Sequence, residues 1–218
     1  MKDLSCLLSA LLNLSGPTAL VLFWRKKTGA RIFPALAAFL VCFPVFIMGN
    51  AIRSNFDHNS FITFYIQQGL LFGVLEECTK YLMMRYALTA YDSRKDAVTY
   101  SIGHGAYEEF GVGIKCLALI GTGNAASDIL LFQLWSFPLN AVFDAAVAVI
   151  IIYGIKNEKS TVTLPAVILV HTVFNASVGI FIEPVAIILH ILIMAVVCCV
   201  GYRCWKSLES PFEEMSDF

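Results

Sequence analysis

Seven stretches of mostly apolar residues follow one another along this chain, and only short polar segments separate them. They lie at roughly 4–24, 32–52, 60–88, 97–121, 129–154, 162–182 and 185–203. Because a helix rises about 1.5 Å per residue, about 20 apolar residues span the ~30 Å hydrocarbon core of a bilayer. The pattern therefore predicts an all-α, polytopic membrane protein with about seven transmembrane helices in one bundle.

The composition excludes an ordinary soluble domain. Hydrophobic residues make up 58% of the 218 residues and charged residues only 14%, whereas soluble domains have about 25% charged residues. The formal net charge is −1, so nothing indicates a nucleic-acid partner. We expect one transmembrane domain over residues 1–206 and a short cytoplasmic tail at 207–218. The expected location is the cell membrane, with multiple passes through the lipid bilayer.

Basic residues occur in alternate loops. The segment 25–31 carries four of them, and the loops after the third, fifth and seventh stretches are also basic, whereas the intervening loops carry only Arg53 as a clear basic residue. Loops rich in lysine and arginine stay on the cytoplasmic side of a membrane. The distribution predicts an N-terminus outside and a C-terminus in the cytoplasm, which agrees with an odd number of spans.

Ionisable and amide side chains lie inside several of these stretches, where a charge costs about 3 kcal/mol at a helix centre. Such residues usually face the bundle interior and mark a functional site. His190 stands alone on a very apolar stretch, so we expect it to be structural. The others are Glu76, Glu77, Lys80, His104, Glu108, Glu109, Lys115, Asn140, Asp144, His171 and Asn175.

Four stretches carry polar residues in pairs spaced four apart. Residues four apart share one helix face, and by their depth the pairs fall in one layer in the cytoplasmic half of the membrane. One such pair would indicate only hydrogen bonds between helices. Four pairs favour a shared site; they are Glu76 and Lys80, His104 and Glu108, Asn140 and Asp144, and His171 and Asn175.

These residue types are the ones that hydrolysis of a peptide bond requires. One of two adjacent carboxylates in a low-dielectric site stays charged and can act as a general base on water. Lys80 shares a helix face with Glu76 and would supply its countercharge. A histidine can stabilise the oxyanion or take part in proton transfer.

A metal route is also open. Two histidines and a glutamate can hold zinc and leave one position for water. If a metal is present, the candidate ligands are His104, Glu108 and His171. The HExxH zinc motif is absent from the sequence. Direct carboxylate catalysis without a cofactor is therefore preferred, and zinc remains the alternative.

Three motifs occur in order on three of the predicted helices. Glu76-Glu77-Cys78-Thr79-Lys80 resembles the EExxK/R motif of the CAAX-protease and bacteriocin-processing superfamily, which includes the PrsW proteins. Residues 100–109 resemble both that superfamily's FxxxH motif and the GHGxxE motif of the YhfC-like membrane peptidases. His171-Thr-Val-Phe-Asn175 is similar to the third motif, HxxxN. The resemblance spans roughly residues 60–182, and we place it in the YhfC-like branch.

The resemblance implies an intramembrane endopeptidase, of glutamic or metallo type, that cleaves a membrane protein or a membrane-associated peptide. It implies that Glu76 is the base and that His104 assists it. His171 and Asn175 would stabilise the oxyanion. The basic residue of the first motif, Lys80, comes one position earlier than in the prenyl-protein proteases, which implies a different substrate.

Three further residues take supporting roles in this interpretation. Glu77 and Glu108 would support catalysis or bind a metal, and Asp144 lies at the right depth but matches no motif of the family. The seven cysteines include no CxxC pair, and most are expected to be small buried hydrophobes. Two other functions stay open: a non-catalytic scaffold or immunity factor of the same fold, and a proton- or metal-coupled transporter.

Overall fold

The computed structural model describes residues 2–56, 60–122, 129–180 and 183–208. These residues form seven α-helices and no β-strand, and a π-helical turn, Met83–Ala87, continues the third helix. Each predicted stretch coincides with one helix, so the prediction of an all-α, polytopic chain is confirmed. The helices are α1 (Lys2–Thr28), α2 (Phe33–Arg53), α3 (Phe61–Leu82), α4 (Arg94–Leu119), α5 (Ile129–Lys156), α6 (Ser160–Ile180) and α7 (Glu183–Ser207).

Among the residues described, five helices are long and apolar enough to cross a membrane, namely α1, α2, α5, α6 and α7. α3 and α4 have 22 and 26 residues, but they carry the ionisable residues of the first two motifs, which lower their mean hydropathy. That α3 and α4 also cross the membrane stays a prediction, as does the orientation of the termini.

The outward faces of the helices are apolar. Leu40, Leu131 and Val162 each expose 70% or more of their surface, and many other large apolar side chains are exposed along the same helices. A soluble monomer rarely exposes so much contiguous apolar surface. Lipid tails are the environment in which these faces are stable, so the chain is a membrane protein.

The chain divides into two compact units. The first unit comprises Met1–Cys42 and Lys95–Ala145, and the second comprises Phe43–Arg94 and Ala146–Phe218. α2 and α5 therefore each contribute their N-terminal part to the first unit and their C-terminal part to the second. That residues 1–206 form a single domain stays a prediction.

In the first unit, α4 packs closely against α1 and α2. A Cβ atom added at Gly103 would overlap the backbone of Ala35 on α2, and one added at Gly113 would lie 2.7 Å from Cγ of Leu14 on α1. Trp24 near the end of α1 donates a hydrogen bond from Nε1 to the carbonyl oxygen of Lys95, at 3.1 Å. Small residues on α4 thus allow three helices to approach one another closely.

The segment between α1 and α2 is fixed to the start of α4. α1 ends before Gly29, whose φ of +70° is the left-handed conformation typical of a helix C-terminus. Arg31 follows and forms an ion pair with Asp96. Its Nε donates to Oδ2 of Asp96 at 3.1 Å, and its backbone N–H donates to Oδ1 at 3.2 Å.

In the second unit, α3 packs along α6, and α6 packs against α7. His190 on α7 donates from Nε2 to the carbonyl oxygen of Phe174 on α6, at 3.0 Å. Its ring also contacts the ring of Phe174 edge-on, with centroids 4.4 Å apart. These contacts join two helices, as expected for a structural histidine.

Candidate functional site

The interface between α3 and α6 brings the first and third motifs together. Two glycines of α3 lie directly on the α6 backbone: a Cβ at Gly69 would lie 2.6 Å from the carbonyl oxygen of Thr172, and one at Gly73 would lie 2.8 Å from its Oγ1. Gly73 precedes Glu76 and Glu77 by about one turn. The GxxxG spacing therefore sets a short interhelical distance just before the two glutamates.

Glu77 is the buried carboxylate of the adjacent pair. Its side chain and that of Lys80 are both fully buried, and Lys80 Nζ donates to Glu77 Oε1 at 2.8 Å. Lys80 was expected to supply the countercharge of Glu76, four residues away. The structure pairs Lys80 with Glu77, three residues away, so a countercharge supports the more deeply buried glutamate. That Lys80 also serves Glu76 stays a prediction.

His171 of α6 lies between the two glutamates. Its Nδ1 is 2.5 Å from Oε1 of Glu77, and its Nε2 is 3.5 Å from Oε2 of Glu76. An ionised carboxylate can only accept hydrogen bonds, so Nδ1 donates its proton to Glu77. In the neutral imidazole, the lone pair then resides on Nε2, which faces Glu76.

The donor atoms of this cluster fit a zinc ion. Glu76, Glu77 and His171 each offer one ligand atom, and these atoms lie within 4.8 Å of one another. Two ligands of a tetrahedral zinc with bonds of about 2.1 Å are about 3.4 Å apart, close to the 3.5 Å between His171 Nε2 and Glu76 Oε2. A carboxylate on the other ring nitrogen, here Glu77, is the usual companion of a metal-binding histidine.

The second carboxylate oxygen of Glu77 is a separate feature of the site. This atom, Oε2, is buried and has no hydrogen-bond partner among the residues described. A buried oxygen without a partner is costly unless a ligand satisfies it.

Asn175 follows His171 by one helical turn and is partly exposed. Its role at the oxyanion stays a prediction.

The first unit contains the predicted residue His104, which is buried against a cysteine. His104 is 2% exposed, and its Nδ1 lies 2.9 Å from Sγ of Cys42 on α2. Most of the cysteines were expected to be small buried hydrophobes, so this contact was not predicted. No local signal could have revealed it, because 62 residues separate the two positions along the chain.

Glu108 and Asp144 also lie in the first unit. Glu108, Glu109 and Asn140 line one small cavity, and Asp144 Oδ2 would lie 3.6 Å from a Cβ at Gly105. That His104 and Glu108 act together with residues of α3 and α6, in hydrolysis or in metal binding, stays a prediction.

A comparison with protein families gives one match. The family model described as YhfC intramembrane metalloprotease matches residues 16–128, more than half of the chain. The matched region includes Glu76, Glu77 and His104, whereas His171 lies beyond it. No curated protein and no solved structure matches the chain. Membership of the wider CAAX-protease and bacteriocin-processing superfamily stays a prediction.

Proposed function

Because the chain belongs to the YhfC intramembrane metalloprotease family, we propose that it is a metal-dependent endopeptidase that hydrolyses peptide bonds of membrane-associated substrates in the cell membrane. The observation that carries this proposal is the position of His171, whose ring nitrogens face Glu77 on one side and Glu76 on the other. Imidazole and carboxylate donors suit zinc, which is the metal we propose.

Glu76 and His171 would hold the ion through Oε2 and Nε2, and Glu77 would support His171 from its Nδ1 side. When bound, zinc supplies a Lewis acid that makes water nucleophilic near neutral pH. Glu77 Oε1 accepts the Nδ1 proton of His171 and thereby fixes both the ring orientation and the tautomer. Lys80 neutralises Glu77 inside a site from which water is largely excluded.

Two further roles are proposed from the motifs. The amide of Asn175 would donate a hydrogen bond to the oxyanion that forms on the substrate carbonyl. His104 and Glu108 of the second motif would contribute to proton transfer or to metal binding. The metal-free route, with Glu76 alone as the base, receives no support from the family match.

Metal analysis of the purified, detergent-solubilised protein tests the proposal. We expect about one zinc ion per chain in the wild type and loss of that zinc in His171→Ala. The matched control is His190→Gln, since His190 is also a histidine within a membrane helix but contacts only α6 backbone and side chains in the contacts described. This variant should keep its zinc.

Two results would contradict the metal centre: a folded wild type without stoichiometric metal, or full zinc retention in His171→Ala. Hydrolysis is tested separately with membrane-anchored reporter peptides in proteoliposomes. Cleavage should stop with a zinc chelator, return with added zinc and be absent in Glu76→Gln. Comparison with His104→Ala and Glu108→Gln then shows whether the second motif takes part; cleavage that survives every variant would overturn the assigned roles.

A further inference from the structure

A cavity of about 330 Å³ lies between α1, α2 and α4 of the first unit. Its volume is in the range typical of pockets that bind small molecules. Apolar side chains form most of the wall, and Val21 of α1, Phe39 of α2 and Phe110 of α4 are among them. None of the residues that line this cavity has a role in the proposed hydrolysis.

Asn13 is the buried polar residue of the cavity wall. It lies near the middle of α1 and is 1% exposed. Its Nδ2 donates to the carbonyl oxygen of Ser9 at 2.8 Å, whereas its Oδ1 is buried and has no hydrogen-bond partner among the residues described. A buried amide oxygen without a partner lowers stability unless a ligand donates to it. An occupant that offers one hydrogen-bond donor therefore suits this cavity.

The cavity also reaches the surface that faces lipid. Leu22 of α1 and Leu36 of α2 belong to its wall, and both side chains are exposed. Both helices are long and apolar enough to cross a membrane, so their exposed apolar side chains lie against lipid tails. An occupant therefore enters from the bilayer rather than from water.

The chemistry of the wall restricts what can enter. In the part of the chain that is described, no residue lining the cavity is charged, so a phosphate or ammonium group would lose its hydration without compensation. A transmembrane helix of another protein has its backbone N–H groups bonded within the helix, and they are not available to Asn13. A neutral lipid with a hydroxyl group combines an apolar chain with a free donor.

We propose that this cavity binds a neutral, hydroxyl-bearing lipid. The hydroxyl group donates to Oδ1 of Asn13, and the apolar chain lies against Val21, Phe39 and Phe110. Such a lipid contacts α1, α2 and α4 together and stabilises their packing, because it binds the folded chain and not the unfolded one. The site includes neither Glu76 nor His171, so this proposal does not depend on the proposed hydrolysis.

The experiment uses the full chain in phosphatidylcholine nanodiscs and two photoactivatable probes. The first probe is hexadecan-1-ol with a diazirine in its chain, and the second is the methyl ether of the same molecule, which accepts hydrogen bonds but cannot donate one. Mass spectrometry of the labelled peptides locates the bound probe. We expect saturable labelling of α1, α2 and α4 by the alcohol, with an affinity about tenfold higher than that of the ether.

Asn13→Leu removes the acceptor and keeps a side chain of similar size. The affinity for the alcohol should then fall about tenfold, to that of the ether. The matched control is Asn50→Leu on α2. Asn50 also donates from Nδ2 to the carbonyl oxygen four residues earlier, that of Phe46, at 2.9 Å, but it does not line the cavity. This variant should bind the alcohol like the wild type.

The comparison of the two probes needs only the wild type, so the proposal is tested even if Asn13→Leu does not fold. Equal affinities of the wild type for the alcohol and the ether would overturn it, because the cavity would then hold lipid tails without recognising a hydroxyl group. Labelling that does not saturate, or that avoids α1, α2 and α4, would overturn it as well. So would unchanged binding of the alcohol in a folded Asn13→Leu variant.

Discussion

Both units contain carboxyl groups buried inside a membrane protein, but the surroundings of these groups differ. In the second unit, Glu77 has both a lysine and a histidine within 2.8 Å of its Oε1. In the first unit, the buried carboxyl group of Glu109 lines a small cavity and experiences electrostatic repulsion from Asp144. One carboxylate has a countercharge beside it, whereas the other is repelled by a neighbouring charge of the same sign.

This difference shows that burial alone does not tell what a buried acid does. A carboxylate that is already neutralised within the chain can orient a neighbouring side chain, as Glu77 orients His171. A buried carboxyl group beside a charge of the same sign lacks that neutralisation. The two clusters should therefore respond in opposite ways when a single charge is removed.

The largest effect is expected for Lys80→Met. Removing the ammonium leaves Glu77 buried without its cation, and breaking a buried ion pair in this way lowers the free energy of unfolding by about 3–5 kcal/mol. Equilibrium unfolding of the purified protein in mixed micelles measures this change in the free energy of unfolding. Glu109→Gln is the counterpart in the first unit: it should leave the free energy of unfolding unchanged or raise it, because it removes a repulsion.

If Lys80→Met and Glu109→Gln changed the free energy of unfolding in the same direction and by similar amounts, the distinction between the two clusters would be wrong.

Zinc affinity should fall about 10–100-fold in Glu77→Gln, the range usual for loss of a carboxylate that orients a metal-binding histidine. The amide keeps the shape of the side chain but no longer fixes the tautomer of His171. Competition with a zinc-chelating dye gives the affinity. Asp92→Asn, at the exposed carboxylate that pairs with Lys156, serves as the control and should bind zinc normally; an unchanged affinity in Glu77→Gln would remove Glu77 from the site.

Gly73→Ala should destabilise the second unit by about 1–3 kcal/mol, the usual penalty for overpacking. The new methyl group would meet Thr172 Oγ1 at 2.8 Å and the carbonyl oxygen of Ile168 at 3.1 Å, so α3 and α6 must separate and zinc occupancy should fall. Gly111→Ala on α4 is the matched control, because nothing lies within 4 Å of its Cβ position. Gly111→Ala should raise the free energy of unfolding by about 0.5–1 kcal/mol, because alanine has the higher helix propensity. Equal losses of stability in both variants would contradict a special role for the α3–α6 contact.

The smallest effect is expected for Lys156→Met. Its ion pair with Asp92 has an N–O distance of 3.1 Å, close to that of Lys80 with Glu77, but the two side chains are 39% and 59% exposed. Exposed pairs contribute about 0–1 kcal/mol and are screened by salt. Unfolding at low and high salt should show a small loss that vanishes with salt; a loss comparable to that of Lys80→Met would mean that burial is not the deciding factor.

The sequence predicted the helices well, because the length of an apolar stretch in a membrane protein is a strong signal. The predicted stretch 32–52 became Phe33–Arg53, and 129–154 became Ile129–Lys156. The third stretch was predicted as one element from 60 to 88, whereas α3 ends at Leu82 and a π-helical turn follows. Hydrophobicity does not distinguish α from π hydrogen bonding, so this change could not be foreseen.

The site was predicted in part. The motifs named Glu76, Glu77 and His171, and the structure brings these three side chains together. The ion pair of Lys80 with Glu77 was not predicted, because residues three and four apart lie on nearly the same helix face and only side-chain packing decides between them. The contact of Cys42 with His104 depends on the packing of α2 against α4, for which a single sequence contains no pattern.

The close contact of α3 with α6 also limits how a substrate can reach the site. Gly69 and Gly73 leave no space between the two backbones, so this pair of helices cannot slide or spread without disrupting the position of His171. Closely packed helices move together as rigid bodies, and opening motions occur at hinges elsewhere in the chain. If the proposed function is correct, a polypeptide would therefore reach the site through motion of other segments, with α3 and α6 moving together.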